Sequence, residues 1–237
     1  MNEWTYDPSP LISKSISEQL TSFPREPDMT FSLLRLSWTV LLRVFLKIYF
    51  RLEIIGRKNL PKSHSFVLVA NHASHLDVVA LVAALPIRSL DNTFAVAAKD
   101  YFFSSFWKSF FSAVFFNALP FDRKEKKRES LELCADVLNA SERALIMFPE
   151  GTRSPDGRLQ PFKKGIGILA AGTNRLVVPA YIRGAFEAWP KGASFPKPHK
   201  VRVRIGNPMN FKSVERQESG FLFVAESARQ AIEALKF

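Results

Sequence analysis

The sequence predicts an α/β fold in which a largely buried sheet is flanked by helices. Three observations predict it: short apolar runs of strand length recur from residue 52 onward, helical stretches alternate with them, and polar motifs follow directly after two of the runs. A chain of 237 residues, 47% of them hydrophobic, can bury one domain plus a modest appendage. We expect residues 1–51 to be that appendage and residues 52–237 to be the main domain.

The appendage combines a polar, proline-punctuated leader, residues 1–28, with one amphipathic helix. The leader contains no continuous apolar run of the kind that a secretory signal needs. A helix is predicted over residues 30–51, with cations along one side and a wide apolar face on the other, which is typical of a helix lying in a membrane interface. A helix that simply covers the core would show a similar pattern. The cations are Arg35, Arg43, Lys47 and Arg51, and the apolar residues are Leu34, Trp38, Leu41, Phe45, Ile48 and Tyr49.

The main domain alternates predicted strands and helices. Strands are expected at residues 66–70, 94–98, 144–148, 177–182 and 201–205. Helices are expected at residues 76–85, 125–138, 165–171 and 220–235. Pro179 interrupts the fourth strand, which predicts a sheet edge or a strand end at that point.

An aromatic segment, residues 101–121, is long enough to span a bilayer and contains a single charge, Lys108. A single crossing there would put the polar motif before it on the other side of the membrane from the motif after it. We therefore expect a helix that lines an apolar pocket or dips into one leaflet. Packing entirely into the core is the alternative.

Composition narrows the range of partners. The net charge of +11 favours an anionic partner, which includes nucleic acid, an anionic membrane and a phosphorylated substrate. The 22 phenylalanines cluster, whereas a nucleic-acid stacking platform would interleave single aromatics with cations, so we expect lipid and no nucleic acid. The single cysteine, Cys134, excludes an internal disulfide, favours a reducing, cytosol-facing compartment, and is expected to be buried on a helical stripe.

The first polar motif, residues 71–77, follows the first predicted strand and contains His72 and Asp77. If His72 lies in the turn and Asp77 in the first helical turn, the aspartate can orient the imidazole of a general base. Ser74 followed by Asp77 also matches a capping box, which would explain the aspartate by helix initiation alone. His75 is interpreted as a loop or helix-start residue.

The second polar motif, residues 148–154, follows another predicted strand. Gly151 allows close approach of the backbone to a ligand, and Arg153 offers a planar set of donors suited to phosphate. Arg123, after the aromatic segment, is a candidate second cation for the same phosphate. A surface turn is the alternative explanation. No metal-spaced His or carboxylate cluster, G-x-S-x-G motif or cysteine near His72 is found in the sequence.

Four segments, taken in order, resemble the four blocks of the glycerolipid acyltransferase family, whose best-known members are the lysophosphatidic acid acyltransferases. The segments are NHASHLD, PFDR, FPEGTRS and VVPAYIRG, and the resemblance spans residues 52–208. It implies a mixed α/β domain seated on the membrane by the N-terminal helix. By the same resemblance, His72 and Asp77 are the catalytic pair, and Val178 and Pro179 line an acyl pocket. The acceptor phosphate is held by Arg123, Glu150, Gly151, Thr152 and Arg153.

The resemblance also implies a reaction. A fatty acyl group would pass from acyl-CoA or acyl carrier protein to the free hydroxyl of a lysophospholipid, above all lysophosphatidic acid, without a cofactor, a metal or an acyl-enzyme. The protein would be peripheral or monotopic on the cytoplasmic face of the cell membrane. Open alternatives are a lyso-ornithine lipid, glycerol-3-phosphate or another lysolipid as acceptor, and a non-catalytic membrane-binding homologue. The sequence departs from the family at Lys99 and Asp100, which are followed by no glycine until Gly151.

Overall fold

The computed structural model describes residues 29–102, 104–123, 125–139 and 142–237. The predicted leader lies outside the described residues, and the predicted boundary between residues 51 and 52 stays a prediction. The strands are β1 (Glu53–Ile55), β2 (Phe66–Ala70), β3 (Thr93–Ala98), β4 (Leu119–Phe121), β5 (Ala144–Met147), β6 (Leu176–Arg183), β7 (Arg202–Ile205) and β8 (Met209–Asn210). The α-helices are α1 (Met29–Tyr49), α2 (Leu76–Ala84), α3 (Lys99–Phe102), α4 (Phe106–Phe116), α5 (Lys127–Asn139), α6 (Gly165–Ala170), α7 (Ala185–Ala188) and α8 (Glu218–Glu233).

These strands form one mixed sheet in the order β1-β7-β6-β2-β5-β3-β4, with β8 beside β6. Strand β2 is central and pairs in parallel with both β5 and β6. Strand β3 pairs in parallel with β5 and β4, whereas β7 and β8 run antiparallel to β6. The predicted mixed sheet flanked by helices is therefore confirmed.

Strand β2 shows why the sheet is buried on both faces. Every residue of its sequence FVLVA is buried, as expected for a central parallel strand. Side chains alternate: Phe66 and Leu68 join the core cluster under α1, α2 and α7, and Val67 and Val69 join the cluster under α5, α6 and α8. We call these two sides the α1 face and the α8 face.

The parallel strands β2 to β6 all end at the same edge of the sheet, which we call the carboxyl edge. Along it the strands follow in the order β6, β2, β5, β3, β4. The chain leaving β2 enters the His72 motif, and the chain leaving β5 enters the Arg153 motif. Loops at this edge of an open α/β sheet are where such folds place their ligands.

Pro179 does not lie at a sheet edge, so that prediction is wrong. Strand β6 has β2 on one side, and β7 and β8 on the other. The Pro179 carbonyl accepts a hydrogen bond of 2.8 Å from the Gly206 backbone, on the β7 side. The proline nitrogen, which has no N–H to donate, also faces that side. It lies in the gap where the partner of β6 changes from Met209 of β8 to Ile205 of β7. An interior strand can therefore tolerate the proline.

The predicted helix is confirmed as α1, but only two of the four predicted cations, Lys47 and Arg51, are exposed. Arg35 is only 9% exposed, and its Nε donates to the Val114 carbonyl at 2.9 Å while Nη1 pairs with Asp91 Oδ1 at 2.7 Å. Arg43 donates to the Leu85 carbonyl at the end of α2, a group with no acceptor role inside that helix. These two arginines point inward because main-chain carbonyls need donors there.

The aromatic segment contains the predicted helix over only part of its length, and its contact with a pocket or a leaflet stays a prediction. It forms α3, α4 and β4, and α4 ends at Asn117, whose φ of 46° is left-handed. Helix α4 buries small residues such as Ser112 and Ala113 and exposes Phe106, Trp107 and Phe111. Trp38 of α1 contacts Phe115 of α4 with ring centroids 4.8 Å apart.

Helices α1 and α4 together present an exposed apolar area, which we call the α1–α4 surface. Leu41 is 67% exposed and Ile48 is 74% exposed. Among the described residues, no helix is both long enough and apolar enough to cross a bilayer. The surface consists of Leu33, Leu34, Leu36, Trp38, Val40, Leu41, Val44, Phe45 and Ile48 of α1 with Phe106, Trp107 and Phe111 of α4.

Candidate active site

The turn after β2 is fixed by hydrogen bonds from neighbouring strands. Asn71 acts as an extra strand residue, because its amide donates to the Ile182 carbonyl at 2.9 Å and its oxygen accepts from the Ile182 N–H at 2.8 Å. The His72 N–H donates to Glu150 Oε1 at 2.8 Å, and the His72 carbonyl accepts from the Ser154 N–H at 2.7 Å. The backbone that carries His72 is therefore held by strand β6 on one side and by the loop after β5 on the other.

His72 and Asp77 are in direct contact. His72 Nδ1 lies 2.9 Å from Asp77 Oδ2, which also accepts the backbone N–H groups of Ala73 and Ser74, both at 2.7 Å. Asp77 is fully buried in the first turn of α2. The Asp77 carboxylate thus binds both the backbone at the start of α2 and the His72 ring, so the capping and the His-orienting interpretations are compatible.

This contact sets the chemistry of the imidazole. The Nδ1–H of a neutral imidazole donates a hydrogen bond to the Asp77 carboxylate, which leaves Nε2 with the basic lone pair. The His72 ring stacks on Phe148 with centroids 4.1 Å apart and planes 17° apart, and its side chain is 22% exposed. The ring is therefore held on two sides while a substrate can still reach it.

Glu150 turns into the protein. It is 4% exposed, and its second oxygen lies 3.4 Å from the Gln160 N–H. Burial raises the pKa of this carboxyl to about 7, against the opposing effect of the hydrogen bonds from His72 and Gln160. Its predicted role in binding the acceptor stays a prediction, and its contacts are those of a residue that positions His72.

Arg153 reaches back across the loop to the His72 turn. Its guanidinium contacts Nε2 of His75, which lies at the start of α2 and whose ring is 5.1 Å from that of Trp189. Burial, and then the charge of Arg153, lower the pKa of His75, so a neutral imidazole accepts the hydrogen bond. His75 is at the helix start as expected, and it also orients Arg153.

Arg123 is brought to the same loop by another partner. Its Nη2 binds both oxygens of Asp100 at 2.9 Å, and its Nη1 donates to the Gly151 carbonyl at 3.2 Å. The structure therefore places Arg123 beside the 150–153 motif, although the two are far apart in sequence. Thr152 lies exposed in the same loop.

Gly151 has a specific steric reason to be glycine. Its φ is +74°, and a Cβ there would lie 2.5 Å from Lys163 Nζ. Lys163 thus lies directly over the loop, and its ammonium group forms no ion pair with the residues that the structure describes. Sequence reasoning missed this cation because nothing in the local pattern links it to Gly151.

Sequence reasoning missed three further residues of the site. Asn71 and Phe148 belong to the two polar motifs, so their places in sequence near His72 and Glu150 could have identified them as site residues. Asp100, the partner of Arg123, lies in a segment that was noted only as a departure from the family pattern. Val178 is fully buried in the core cluster of the α1 face, and its role in an acyl pocket stays a prediction. No group of three or more His, Cys, Asp or Glu side chains in the described ranges could hold a metal ion.

Comparison with known proteins adds a family to this geometry. The model of the family described as Acyltransferase matches residues 51–183. The chain is 31% identical over 159 residues to a 1-acyl-sn-glycerol-3-phosphate acyltransferase of Limnanthes alba, which covers 67% of this chain and 54% of that protein. It is 33% identical over 169 residues to the chloroplastic 1-acyl-sn-glycerol-3-phosphate acyltransferase LPAT1 of Arabidopsis thaliana, covering 68% and 44%. The matched part thus spans about half the length of these plant relatives.

A bacterial relative and a solved structure match over a larger share of their length. The 1-acyl-sn-glycerol-3-phosphate acyltransferase of Bacillus subtilis is 28% identical over 170 residues, covering 71% of this chain and 79% of that protein. The crystal structure of the 1-acyl-sn-glycerophosphate acyltransferase PlsC from Thermotoga maritima superposes with a TM-score of 0.62 at 26% identity, covering 87% of each chain.

Proposed function

Because this chain belongs to the Acyltransferase family, we propose that it transfers a fatty acyl group from a thioester to the free hydroxyl of lysophosphatidic acid. The donor is acyl-CoA or acyl carrier protein, and the products are phosphatidic acid and the free thiol. The observation that carries the proposal is the His72–Asp77 contact at the carboxyl edge, within the loop system that also holds Arg123 and Arg153.

In the proposed reaction, His72 is the general base. Its Nε2 takes the proton of the acceptor hydroxyl while the hydroxyl oxygen bonds to the thioester carbon. Asp77 stabilises the imidazolium that forms, because its carboxylate already binds Nδ1. The carbon–sulfur bond then breaks, and the proton passes from Nε2 to the leaving sulfur. No acyl-enzyme forms, so the kinetics are sequential.

The acceptor phosphate has a preorganised cationic site. Arg153 is oriented by His75, Arg123 by Asp100, and Lys163 lies over Gly151. Guanidinium groups held in this way lose little freedom when they bind phosphate. Asp100 neutralises part of the Arg123 charge, which leaves Arg153 and Lys163 as the stronger contributors.

The α1–α4 surface seats the protein on the membrane in this proposal. Large apolar side chains on two adjacent helices form a continuous exposed area, and the charges of Arg35 and Arg43 are turned away from it. A lysolipid whose acyl chain stays in the bilayer would then present its headgroup to the carboxyl edge. We place the protein on the cytoplasmic face, where a thioester donor is available.

The test compares wild type with His72→Ala in mixed micelles of lysophosphatidic acid and a long-chain acyl-CoA, with thiol release and lipid product both measured. We expect wild type to form phosphatidic acid and His72→Ala to lose at least about 10²-fold in kcat. His64→Ala, which alters an exposed histidine, is the matched control and should keep full activity. Equal activity of wild type and His72→Ala would remove His72 as the base.

The acceptor is tested with the same enzyme and a panel of hydroxyl compounds. Lysophosphatidic acid should exceed a lyso-ornithine lipid and an uncharged lysolipid, because only the phosphate engages Arg153 and Lys163. Glycerol-3-phosphate should be the weaker of the phosphorylated acceptors, since it lacks the chain that enters the membrane. A preference for an unphosphorylated acceptor would contradict the proposed substrate and leave the His72 mechanism intact.

A further inference from the structure

A second basic site lies at the carboxyl edge, and none of its cations is among the described residues that contact His72, His75 or Gly151. It is a cavity of about 320 Å³ beside the end of β6. Three cationic side chains, Arg158, Arg183 and Lys236, line it, and the aromatic rings of Tyr181 and Phe237 form part of its wall. Nothing in the proposed transfer of the acyl group uses these residues.

One of the three cations of the cavity has no ion pair with a described residue, although Glu187 also lies near Tyr181 in the wall. Arg158 lies 3.8 Å from Asp156, and Lys236 pairs with Glu233. The Arg183 guanidinium makes no hydrogen bond or ion pair with the part of the chain that the structure describes. An exposed arginine without a partner at the mouth of a concave basic site is suited to a phosphate.

Close contacts hold the residues that form the wall of the cavity. Arg204 of β7 lies over the Phe237 ring at 3.9 Å and donates to the Leu235 carbonyl at 3.4 Å. On the other side, Gly157 is packed so closely on Phe186 that a Cβ would lie 2.9 Å from that ring. The residues after α8 and the loop after β5 therefore enclose the cavity between them.

The cavity is close to His72. Ser154, whose N–H binds the His72 carbonyl at 2.7 Å, precedes Arg158 by only four residues, which span at most about 14 Å. Arg183 directly follows Ile182, which is paired with the Asn71 side chain. A molecule bound in the cavity could therefore extend an arm to the imidazole.

Arg183 of the cavity and Arg123 of the acceptor site lie on opposite sides of β2, the strand that leads to His72. Arg183 is the last residue of β6, which is one neighbour of β2, whereas Arg123 follows β4, which lies on the other side beyond β5 and β3. In a direct transfer, the acceptor hydroxyl and the thioester carbon must meet at His72, so the phosphorylated ends of the two substrates must diverge from it. The acceptor phosphate occupies one flank, which leaves the other for the donor.

We propose that the cavity at Arg158, Arg183 and Lys236 binds the phosphate groups of an acyl-CoA donor. The inference rests on the proposed acyl transfer at His72. Tyr181 lies on the α8 face of the sheet, opposite the α1–α4 surface, so a lipid headgroup at the membrane does not reach the cavity. A water-soluble phosphorylated molecule does, and the aromatic wall offers a surface for its base.

The experiment measures binding of free CoA by calorimetry, without acceptor, to wild type, Arg183→Ala and Arg158→Ala. We expect Arg183→Ala to weaken CoA binding about tenfold and Arg158→Ala less, because Asp156 already pairs with Arg158. Arg88→Ala is the charge-matched control, since Arg88 is exposed just after α2, at the far edge of the sheet, and it should bind like wild type. Thermal unfolding verifies that each variant is folded.

The kinetic arm separates this site from the acceptor site. Arg183→Ala should raise KM for acyl-CoA about tenfold and leave KM for lysophosphatidic acid unchanged. Dephospho-CoA, which lacks the 3′-phosphate, should bind wild type and Arg183→Ala more equally than CoA does. Unchanged CoA affinity in both arginine variants would overturn the proposal, as would dependence on Arg183 seen only with acyl carrier protein as donor. Because CoA binding is measured without acceptor, an enzyme inactive on lysophosphatidic acid would still test it.

Discussion

The carboxyl edge and the α1–α4 surface both reverse the usual distribution of polar and apolar groups, in opposite ways. At the edge, polar side chains are buried: Asn71, Asp77 and Glu150 are each at most 5% exposed. On the α1–α4 surface, apolar side chains such as Leu41, Ile48 and Trp107 are more than half exposed. Neither arrangement stabilises an isolated domain in water, so each points to a function.

The two regions differ in whether the protein itself supplies partners for the buried polar groups or cover for the exposed apolar groups. The buried groups of the edge find partners inside the protein, such as the three hydrogen bonds to Asp77 Oδ2. The apolar groups of the α1–α4 surface have no such cover among the described residues. Apart from Asp77 Oδ1, which has no hydrogen-bond partner among the described residues, the edge satisfies its buried groups within the chain. The proposed function covers the apolar side chains of the α1–α4 surface with a membrane.

Asp77→Asn should abolish most of the activity that depends on the carboxyl edge. The amide cannot supply the negative charge that stabilises the His72 imidazolium, so we expect kcat to fall by about 10²- to 10⁴-fold. Steady-state kinetics with acyl-CoA and lysophosphatidic acid measure it, and Asp136→Asn, an exposed position on α5, should behave like wild type. Wild-type kcat in Asp77→Asn would reduce this residue to a helix cap.

Glu150→Gln should reveal the cost of burying a carboxyl at the edge. The pKa of Glu150 is raised from 4.5 to about 7, so the folded state holds its proton where the unfolded state has lost it, and stability falls as pH rises between those values. The Gln variant lacks this loss and should be more stable than wild type at pH 8, by at most about 3.5 kcal/mol at about 1.4 kcal/mol per pKa unit. Near pH 4.5 the difference should vanish.

Denaturant unfolding at several pH values measures this difference, and Glu132→Gln, on the exposed side of α5, serves as the control. A stability difference between Glu150→Gln and wild type that does not change with pH would show that the Glu150 carboxyl is solvated like an ordinary surface acid.

Leu41→Ser combined with Ile48→Ser should weaken membrane binding by the α1–α4 surface and leave the structure of the carboxyl edge unchanged. Both side chains are exposed, so the fold should lose little stability, while binding to anionic liposomes should weaken about tenfold to a hundredfold. Leu222→Ser with Phe223→Ser removes two exposed apolar residues of α8, on the opposite face of the sheet, and should leave liposome binding unchanged. Equal losses in the two double variants would mean that no particular surface faces the membrane.

Cys134→Ala should have the smallest effect, because α5 belongs to neither region and follows the ordinary pattern of apolar residues inside. Burial raises the pKa of the Cys134 thiol to about 12, so alkylating reagents should not label the folded protein at pH 8. The variant should lose about 1 kcal/mol of stability and keep wild-type kcat. A large loss of activity would give the cysteine a role that its position does not explain.

The central fold could be predicted from the sequence because continuous apolar runs mark buried strands. Strand β2 was predicted at residues 66–70 and β5 within one residue. Strands β1, β4 and β8 were missed because they have only two or three residues each and depend on partners, β7, β3 and β6, that are distant in sequence. Helix α1 was predicted, but periodicity locates two faces of a helix and does not reveal which one is turned inward.

Some contacts of the candidate site could also be predicted from the sequence, and others could not. His72 and Asp77 could be predicted as a pair because their contact is local, five residues apart across one strand-to-helix turn. The contacts of Arg123 with Asp100 and of Lys163 with Gly151 depend on how the loops meet at the carboxyl edge. The roles of the predicted site residues stay predictions that the variants above address.

The pairing of β1 with β7 bears on what can fold as an independent unit. Glu53 is in register with Arg202, and the two side chains are bonded at 3.0 Å across 149 positions of sequence. The segment that the family model matches stops at residue 183, before β7 and α8. A fragment cut there would leave β1 without its neighbour and Val177 without the helix that covers it. The smallest autonomous folding unit therefore extends beyond the family motifs, to the end of α8 at least.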